Sequence, residues 1–361
     1  LRLNDETPRQ EDKRCNRHSS IFSKSSSSNI DTAITQPHHS HRHPPRKKQL
    51  KWRARVVKMR VVIPLFLSLL PLGLAAQSVP VFLEDLEPNP SLSSVPEQDV
   101  IRNFISATLG SNMVLQRDEE AILWGYSQPG ATITTSLHGE DETEEQASLV
   151  LTTTALGDEG LWRQKLPPQT ASLKPQSITI KSTTGEKQTL DNVLFGDVYI
   201  CGGQSNMAFS LPGNTNGTAE AKRGAEYPHI RVFTVGTGTQ SKTLMPDLQT
   251  VMQEWSVASS TSLFKGPKGP FTWFSSVCWF FGREISDGLD NKVPIGLISN
   301  NWGGTRVEMW QPEGVLYNAM IHPYMVGPMK VTGFTWYQGE ANAKGQDAAD
   351  SYAQHFPDMI Q

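Results

Sequence analysis

Cysteine is scarce in this chain. Three stand in 361 residues, Cys15, Cys201 and Cys278, and only the last two lie in the part read below as mature. They could pair in a secreted protein. Cys201 sits on an apolar strand-like run and Cys278 on an apolar helical one, so two core thiols are expected. Long apolar runs are lacking too. The stretch 61–74 is too short to span a bilayer comfortably and is interrupted by Pro64 and Pro71, so no stable membrane anchor is expected. There is no internal repeat. Positive charge is missing from most of the sequence. Beyond residue 60, 18 Lys+Arg face 31 Asp+Glu, a net of −13, against 15 and 5, a net of +10, in residues 1–60; the whole chain carries −3. An acidic body has nothing to attract a phosphate backbone, and nucleic acid is excluded as a partner.

The basic end reads unlike folded protein. It holds Ser25-Ser26-Ser27-Ser28, the cluster His38-His39-Ser40-His41-Arg42-His43, and Arg46-Lys47-Lys48. Taken alone, these suggest a nucleic-acid tail or a metal site. The chain opens on Leu1, however, and the first start signal is Met59. Arg60, the apolar run 61–74, and the small residues Gly73, Ala75 and Ala76 then spell a signal peptide. The expectation is upstream translation or disorder over 1–58, a signal peptide over 59–76, and a mature start at about Gln77. No metal or cofactor is expected, and the location is secreted or lysosomal.

The most informative stretch is Gly203-Gln204-Ser205-Asn206-Met207. The run 194–201 before it is apolar and partly β-branched, as suits a central parallel strand. Gly202 and Gly203 permit a tight turn, and Ser205 falls where that turn meets a helix. A helix N-terminus there favours a developing anion, and the serine hydroxyl is placed as a nucleophile needs to be. An ordinary helix-capping serine is the bland alternative. Two more strand-like runs, 292–299 and 331–337, end in glycine-bearing polar loops, Asn300-Asn301-Trp302-Gly303-Gly304-Thr305-Arg306 and Gln338-Gly339-Glu340-Ala341-Asn342. In an open α/β sheet such loops converge on one crevice.

Gly-Gln-Ser-Asn-Met at 203–207, Trp-Gly-Gly-Thr at 302–305 and Trp-Tyr-Gln-Gly-Glu at 336–340, in that order, resemble the sialate O-acetylesterase family of the SGNH (GDSL-like) hydrolase superfamily. Further stretches do too: Gly110-Ser111-Asn112-Met113, Leu194-Phe195-Gly196-Asp197-Val198, and Tyr317-Asn318-Ala319-Met320-Ile321-His322-Pro323. The resemblance runs from about Phe104 to the last residue. It implies a doubly wound, flavodoxin-like α/β domain and hydrolysis of O-acetyl esters of sialic acids through an acetyl-enzyme. Ser205 would be the nucleophile, Gly303 or Gly304 a backbone oxyanion donor, and Gln338 a side-chain donor. Asn206, Trp302, Arg306 and Glu340 are the candidate substrate-binding residues. Trp302 would stack on a sugar, and Glu340 would orient Gln338 or pair with Arg306. Trp336 is expected in the core. The sequon Asn216-Gly217-Thr218, in a polar loop, is a candidate glycosylation site.

One feature of that family is missing. Its triad closes with an Asp-x-x-His beyond the Gln-Gly-Glu block. Here the residues three before His229, His322 and His355 are Glu226, Ala319 and Tyr352. The expectation is a piece of a longer esterase, with His322 structural or pocket-lining. The alternatives are a polysaccharide acetyl esterase and a secreted carbohydrate-binding protein without catalysis. Two folded regions are expected. Short alternating runs such as 131–137 and 176–181, separated by Gln128-Pro129-Gly130 and Thr184-Gly185-Glu186, make a small antiparallel β domain over 104–192. Strands alternating with helices make the catalytic domain over 193–361. A helix is expected over 273–289, burying Val277, Phe280, Phe281 and Ile285, and the stretch 236–270 reads as surface loop.

Overall fold

The structure is a computed structural model that describes residues 100–360 apart from 140, 265–270 and 272. The expected upstream segment 1–58 and signal peptide 59–76 lie outside the described residues. The first described strands are β1 (Val114–Gln116), β2 (Ala121–Tyr126), β3 (Thr132–Gly139), β4 (Leu149–Thr154), β5 (Leu161–Leu166) and β6 (Ser172–Ser182). Their turns use glycine where the backbone turns left-handed, with φ of +82° at Gly130 and +106° at Gly185. β4, β3 and β6 pair antiparallel in that order, and β2 with β5 makes a separate two-stranded sheet.

β7 (Lys187–Gly203) is the spine of the molecule, 17 residues long. Its first part pairs antiparallel with β6 as far as Phe195, and from Leu194 onward it also pairs parallel, first with β1. Asn192, at φ +54°, marks the change, and its amide donates to Asn112 Oδ1 at 2.8 Å. The expected boundary between residues 192 and 193 therefore falls inside one strand. One apolar cluster takes side chains from both parts, among them Ile133, Ile178 and Leu190 with Ile200, Phe233 and Ile298.

Beyond β7 come α1 (Ser205–Ala208), α2 (Gly217–Arg223), β8 (Ile230–Val235), β9 (Val251–Val257), α3 (Ser260–Phe264), α4 (Ser276–Gly288), β10 (Ile295–Asn301), α5 (Pro323–Val326), β11 (Gly333–Tyr337) and α6 (Gln346–Ile360). β11, β7, β10 and β8 lie side by side and parallel, with β9 antiparallel on the outer side of β8. The chain leaves β7 for β8 and β10 on one side, then crosses to β11 on the other. Loops that diverge in this way open a crevice at the carboxyl ends of the strands. β8 and β10 are buried throughout, as strands covered on both faces should be, while β11 is half-exposed. Alternation along β7 sorts its side chains: Val198 and Ile200 join the cluster shared with the antiparallel strands, and Cys201 packs with α4.

Three expectations need correction. The stretch 236–270 holds β9 and α3, whose apolar positions are diluted by Ser, Thr and Gln. α4 buries Cys278, Trp279, Gly282 and Ser286, and Val277, Phe280, Phe281 and Ile285 are only partly covered. The reason is close approach, since a Cβ on Gly282 would come within 2.3 Å of Leu297 Cδ1. Cys201 and Cys278 are not two free core thiols but a disulfide. Burial and pairing are compatible because α4 crosses the end of β7 with the two Cα atoms 5.8 Å apart.

Candidate active site

β7 ends in the glycines that the nucleophile motif supplies, and packing explains each. A Cβ on Gly202 would lie 2.8 Å from the Trp336 ring, and one on Gly203 would lie 2.1 Å from the Tyr337 carbonyl oxygen. Gly203 also has φ +142°, a region that side chains resist. Gln204 is buried and joins the first loop to the third. Its N–H donates to the Tyr337 carbonyl at 3.1 Å, and its Oε1 accepts from Ala341 N–H at 3.1 Å and from Gly339 N–H at 3.4 Å. The second loop is tied to the same turn by Trp302 N–H donating to the Gly203 carbonyl at 3.0 Å.

Ser205 is the first residue of α1 and is partly exposed at this junction. α1 spans four residues, so the expected helix field is lacking: a macrodipole needs several turns of aligned peptides. Individual N–H groups must do that work instead. Gly303 borders the serine, since a Cβ built on it would lie 3.6 Å from Ser205 Cβ and 3.9 Å from its nitrogen. Gly304 is glycine for a different reason, its φ of +76°. α1 is braced from α4: the Ser275 hydroxyl, which caps α4 by accepting from Cys278 N–H at 3.1 Å, donates to the Met207 carbonyl.

The third loop departs from expectation. Gln338 uses both hydrogens of its amide, donating to Asn342 Oδ1 at 2.7 Å and to the Thr305 carbonyl at 3.1 Å. It is therefore not placed as a free oxyanion donor. Glu340 neither orients Gln338 nor pairs with Arg306; it is exposed, and Arg306 pairs with Glu308 at 3.3 Å. Trp302 is half-buried against the core, and Asn206 and Arg306 are exposed. Trp336 packs edge-on against Trp310, 5.6 Å between ring centres. Asn216 is exposed at the start of α2, away from these loops in the chain.

His322 is structural, its Nδ1 lying 2.9 Å from the Met245 carbonyl. Among the described residues no histidine is hydrogen-bonded to Ser205. Two cavities stand out among the described residues, and neither includes Ser205. One, about 530 Å³, surrounds the Arg117–Asp197 ion pair, and the other, about 400 Å³, lies beside Trp273. Gln204, Glu308 and Asn342 were not singled out from the sequence. Gln204 and Asn342 stand inside the quoted motifs, and only contacts reveal their purpose.

The model of the family described as carbohydrate esterase, sialic acid-specific acetylesterase matches residues 195–361. Over these residues the chain is similar to that family. The match opens with the second half of β7 and takes in all three loops. Sialate O-acetylesterase of Pongo abelii is 33% identical over 282 residues, covering 70% of this chain and 51% of that protein. The Homo sapiens protein of the same name is 32% identical over 282 residues with the same coverage. The Mus musculus one is 32% identical over 304 residues, 69% of this chain and 53% of its own. The chain thus spans about half the length of the curated relatives it matches. Among solved structures, a carbohydrate acetylesterase from Xanthomonas citri superposes with a TM-score of 0.60 at 29% identity, over 72% of this chain and 56% of its own.

Proposed function

We propose that this chain is the nucleophile-bearing part of a serine esterase that removes O-acetyl groups from sialic acids. The observation that carries the reading is the junction at Ser205. The loops after β10 and β11 are both hydrogen-bonded to the turn after β7 that holds it, and Gly303 borders it. Ser205 Oγ attacks the acetyl carbonyl and the Ser205 and Gly303 N–H groups hold the oxyanion; its collapse breaks the bond to the sugar oxygen, which leaves as a hydroxyl with the serine's proton, and water then releases acetate from the acetyl-enzyme. A general base must take the serine proton and pass it to the departing sugar oxygen; among the described residues no histidine is hydrogen-bonded to Ser205. The substrate class follows the family and its named relatives.

Two finer assignments belong to the same reading. The order β10-β7-β11, with the crossing at β7, supports a flavodoxin-like SGNH sheet preceded by an antiparallel β region over 104–192. The Cys201–Cys278 disulfide and the signal-like stretch 59–76 support a secreted or lysosomal protein glycosylated at Asn216. Among the described residues no helix is long and apolar enough to cross a membrane.

The test is acetate release from O-acetylated sialic acid by the full-length protein and its Ser205→Ala variant. The variant should fold normally and lose turnover by three orders of magnitude or more, on the order of 10³–10⁶. Turnover that survives the substitution sinks the assignment. Binding of the sugar without release by the parent protein would leave the carbohydrate-binding alternative standing.

A further inference from the structure

Ser205 lies outside both cavities, so a substrate at the nucleophile rests on open surface. Two aromatic rings that the core does not use stand beside it. Phe209 follows α1, four residues after Ser205, and its φ of −59° keeps its Cβ where a further helical residue would carry it. Residues four apart share a face of a helix, with Cβ atoms about 5–6 Å apart, so Phe209 stands on the Ser205 face of α1. Its backbone is fixed, because the Phe209 carbonyl accepts from the Ser276 N–H at 2.8 Å and from the Ser276 hydroxyl at 2.6 Å. The Phe209 ring meets that of Phe271 edge-on, 5.7 Å between centres and 78° between planes. Phe271 is 48% exposed and Phe209 is partly exposed. Core packing explains neither ring. Both stand outside the two apolar clusters, one of which takes in their neighbours Met207, Leu211, Trp273 and Phe274. Apolar side chains scattered singly on a surface are ordinary, whereas two rings in contact beside a nucleophile mark a place where something binds.

We propose that Phe271, braced by Phe209, is the platform on which the sugar of the acetyl ester rests, the C–H face of the pyranose lying against the phenyl ring while the acetyl group reaches Ser205. The proposal rests on the esterase reading of Ser205 and supplies its sugar-binding residue. It moves to Phe271 the stacking role that the sequence suggests for Trp302, which packs against the core instead. A phenyl ring has no hydrogen-bonding atom, so it selects for an apolar patch. Its faces are negative, and the C–H bonds of a pyranose present positive hydrogens to them. One helical turn and one ring contact separate Phe271 from the nucleophile, which places the platform within reach of the sugar that bears the ester. Rings set nearly at right angles also limit each other's rotation, so little side-chain freedom remains to be lost when the sugar lands.

The test compares the full-length parent with its Phe271→Ala variant on O-acetylated sialic acid and on ethyl acetate, which has no sugar ring. On the sugar ester the KM of the variant should rise about 10-fold, the order expected for one lost aromatic contact, with most of the effect in KM and little in kcat. The fall in kcat/KM on ethyl acetate should be much smaller. Phe271→Tyr, which keeps the ring, should recover most of the lost affinity. A KM for the sugar ester that stays at the parent's value, or an equal loss on the two esters, overturns the proposal. A second readout needs no turnover. With Ser205→Ala in place, the C–H proton resonances of bound O-acetylated sialic acid should move upfield under the ring current of Phe271, and adding Phe271→Ala should abolish that shift; a shift that persists overturns the proposal. Ser205→Ala alone separates the two ideas. Acetate release that survives it removes the esterase reading, whereas release that stops with Ser205→Ala and is indifferent to Phe271→Ala removes the platform and leaves the esterase.

Discussion

Breaking the Cys201–Cys278 bridge should remove a large part of the stability of this protein. The bonded residues are 77 apart in sequence, and both are fully buried. For a closed loop of that length, chain entropy alone gives about 4.5 kcal/mol of destabilisation of the unfolded state, and native bridges of small domains deliver roughly 2–5 kcal/mol when measured. Against a typical total of about 5–15 kcal/mol, that is a substantial share. At roughly 2–4 °C per kcal/mol for a unit of this size, the Tm of a Cys201→Ala, Cys278→Ala double variant should drop by roughly 5–15 °C. Comparing that variant with the parent, with and without reductant, separates the cross-link from the small cavity that two missing sulfurs leave. The reduced parent and the variant should melt close together, well below the oxidised parent. The loss should also reach the site, since Cys201 stands just before the nucleophile turn and the α4 cap that contains Cys278 also holds α1 through Ser275. Two titratable thiols in the denatured, unreduced protein, or a Tm indifferent to reductant, would refute the reasoning.

Two further predictions concern the backbone of the site and a buried carboxylate. Gly203→Ala should fold poorly, with a fall in stability of several kcal/mol, about 2–4, because its Cβ meets the Tyr337 carbonyl at 2.1 Å and its φ is +142°. Gly303→Ala, whose Cβ meets only ordinary contacts at 3.6 Å, should melt within about 1 kcal/mol of the parent; urea midpoints for the pair that coincide would contradict both. Burial holds the Asp247 carboxyl above its ordinary range, although it accepts from Ala107 and Leu248 N–H groups and from the Ser106 hydroxyl. A raised carboxylate binds protons more tightly in the folded state, so its contribution to stability is largest below the unfolded pKa and declines as pH rises toward the folded one. Asp247→Asn should flatten that decline in urea midpoints taken across mildly acidic pH, and an unchanged slope would assign it to other groups.

The strands that carry the site were legible because each is a largely apolar run that leads into a glycine-bearing polar loop. The runs expected at 194–201, 292–299 and 331–337 are β7, β10 and β11 in substance, with ends displaced by a few residues. What hid was contact chemistry. β9 was masked by Gln253, Glu254 and Ser256, which an outer antiparallel strand tolerates and a central one would not. The buried face of α4 was misread because hydrophobicity pointed to Phe280 and Phe281, while the sheet selected Gly282 for closeness. The disulfide was missed because an apolar setting is equally good for a free thiol and for a bonded one. The role of Gln338 was drawn from resemblance, and no spacing could reveal that Asn342 and Thr305 already hold its amide.

The nucleophile motif itself changes meaning in the structure. Gly202 is small for the Trp336 ring, Gly203 yields to the Tyr337 carbonyl, and Gln204 gathers the Gly339 and Ala341 N–H groups. Three of the residues leading to and opening the motif thus serve the joint between the first and third loops, and Ser205 has no such duty. A joint specified that closely fixes the serine before any substrate arrives, which is what preorganised catalysis requires. It also means that the motif would be retained for folding even in a chain whose serine had been replaced. Gly-Gln at this position therefore speaks for the architecture, and the claim to chemistry rests on Ser205 and on Gly303 beside it.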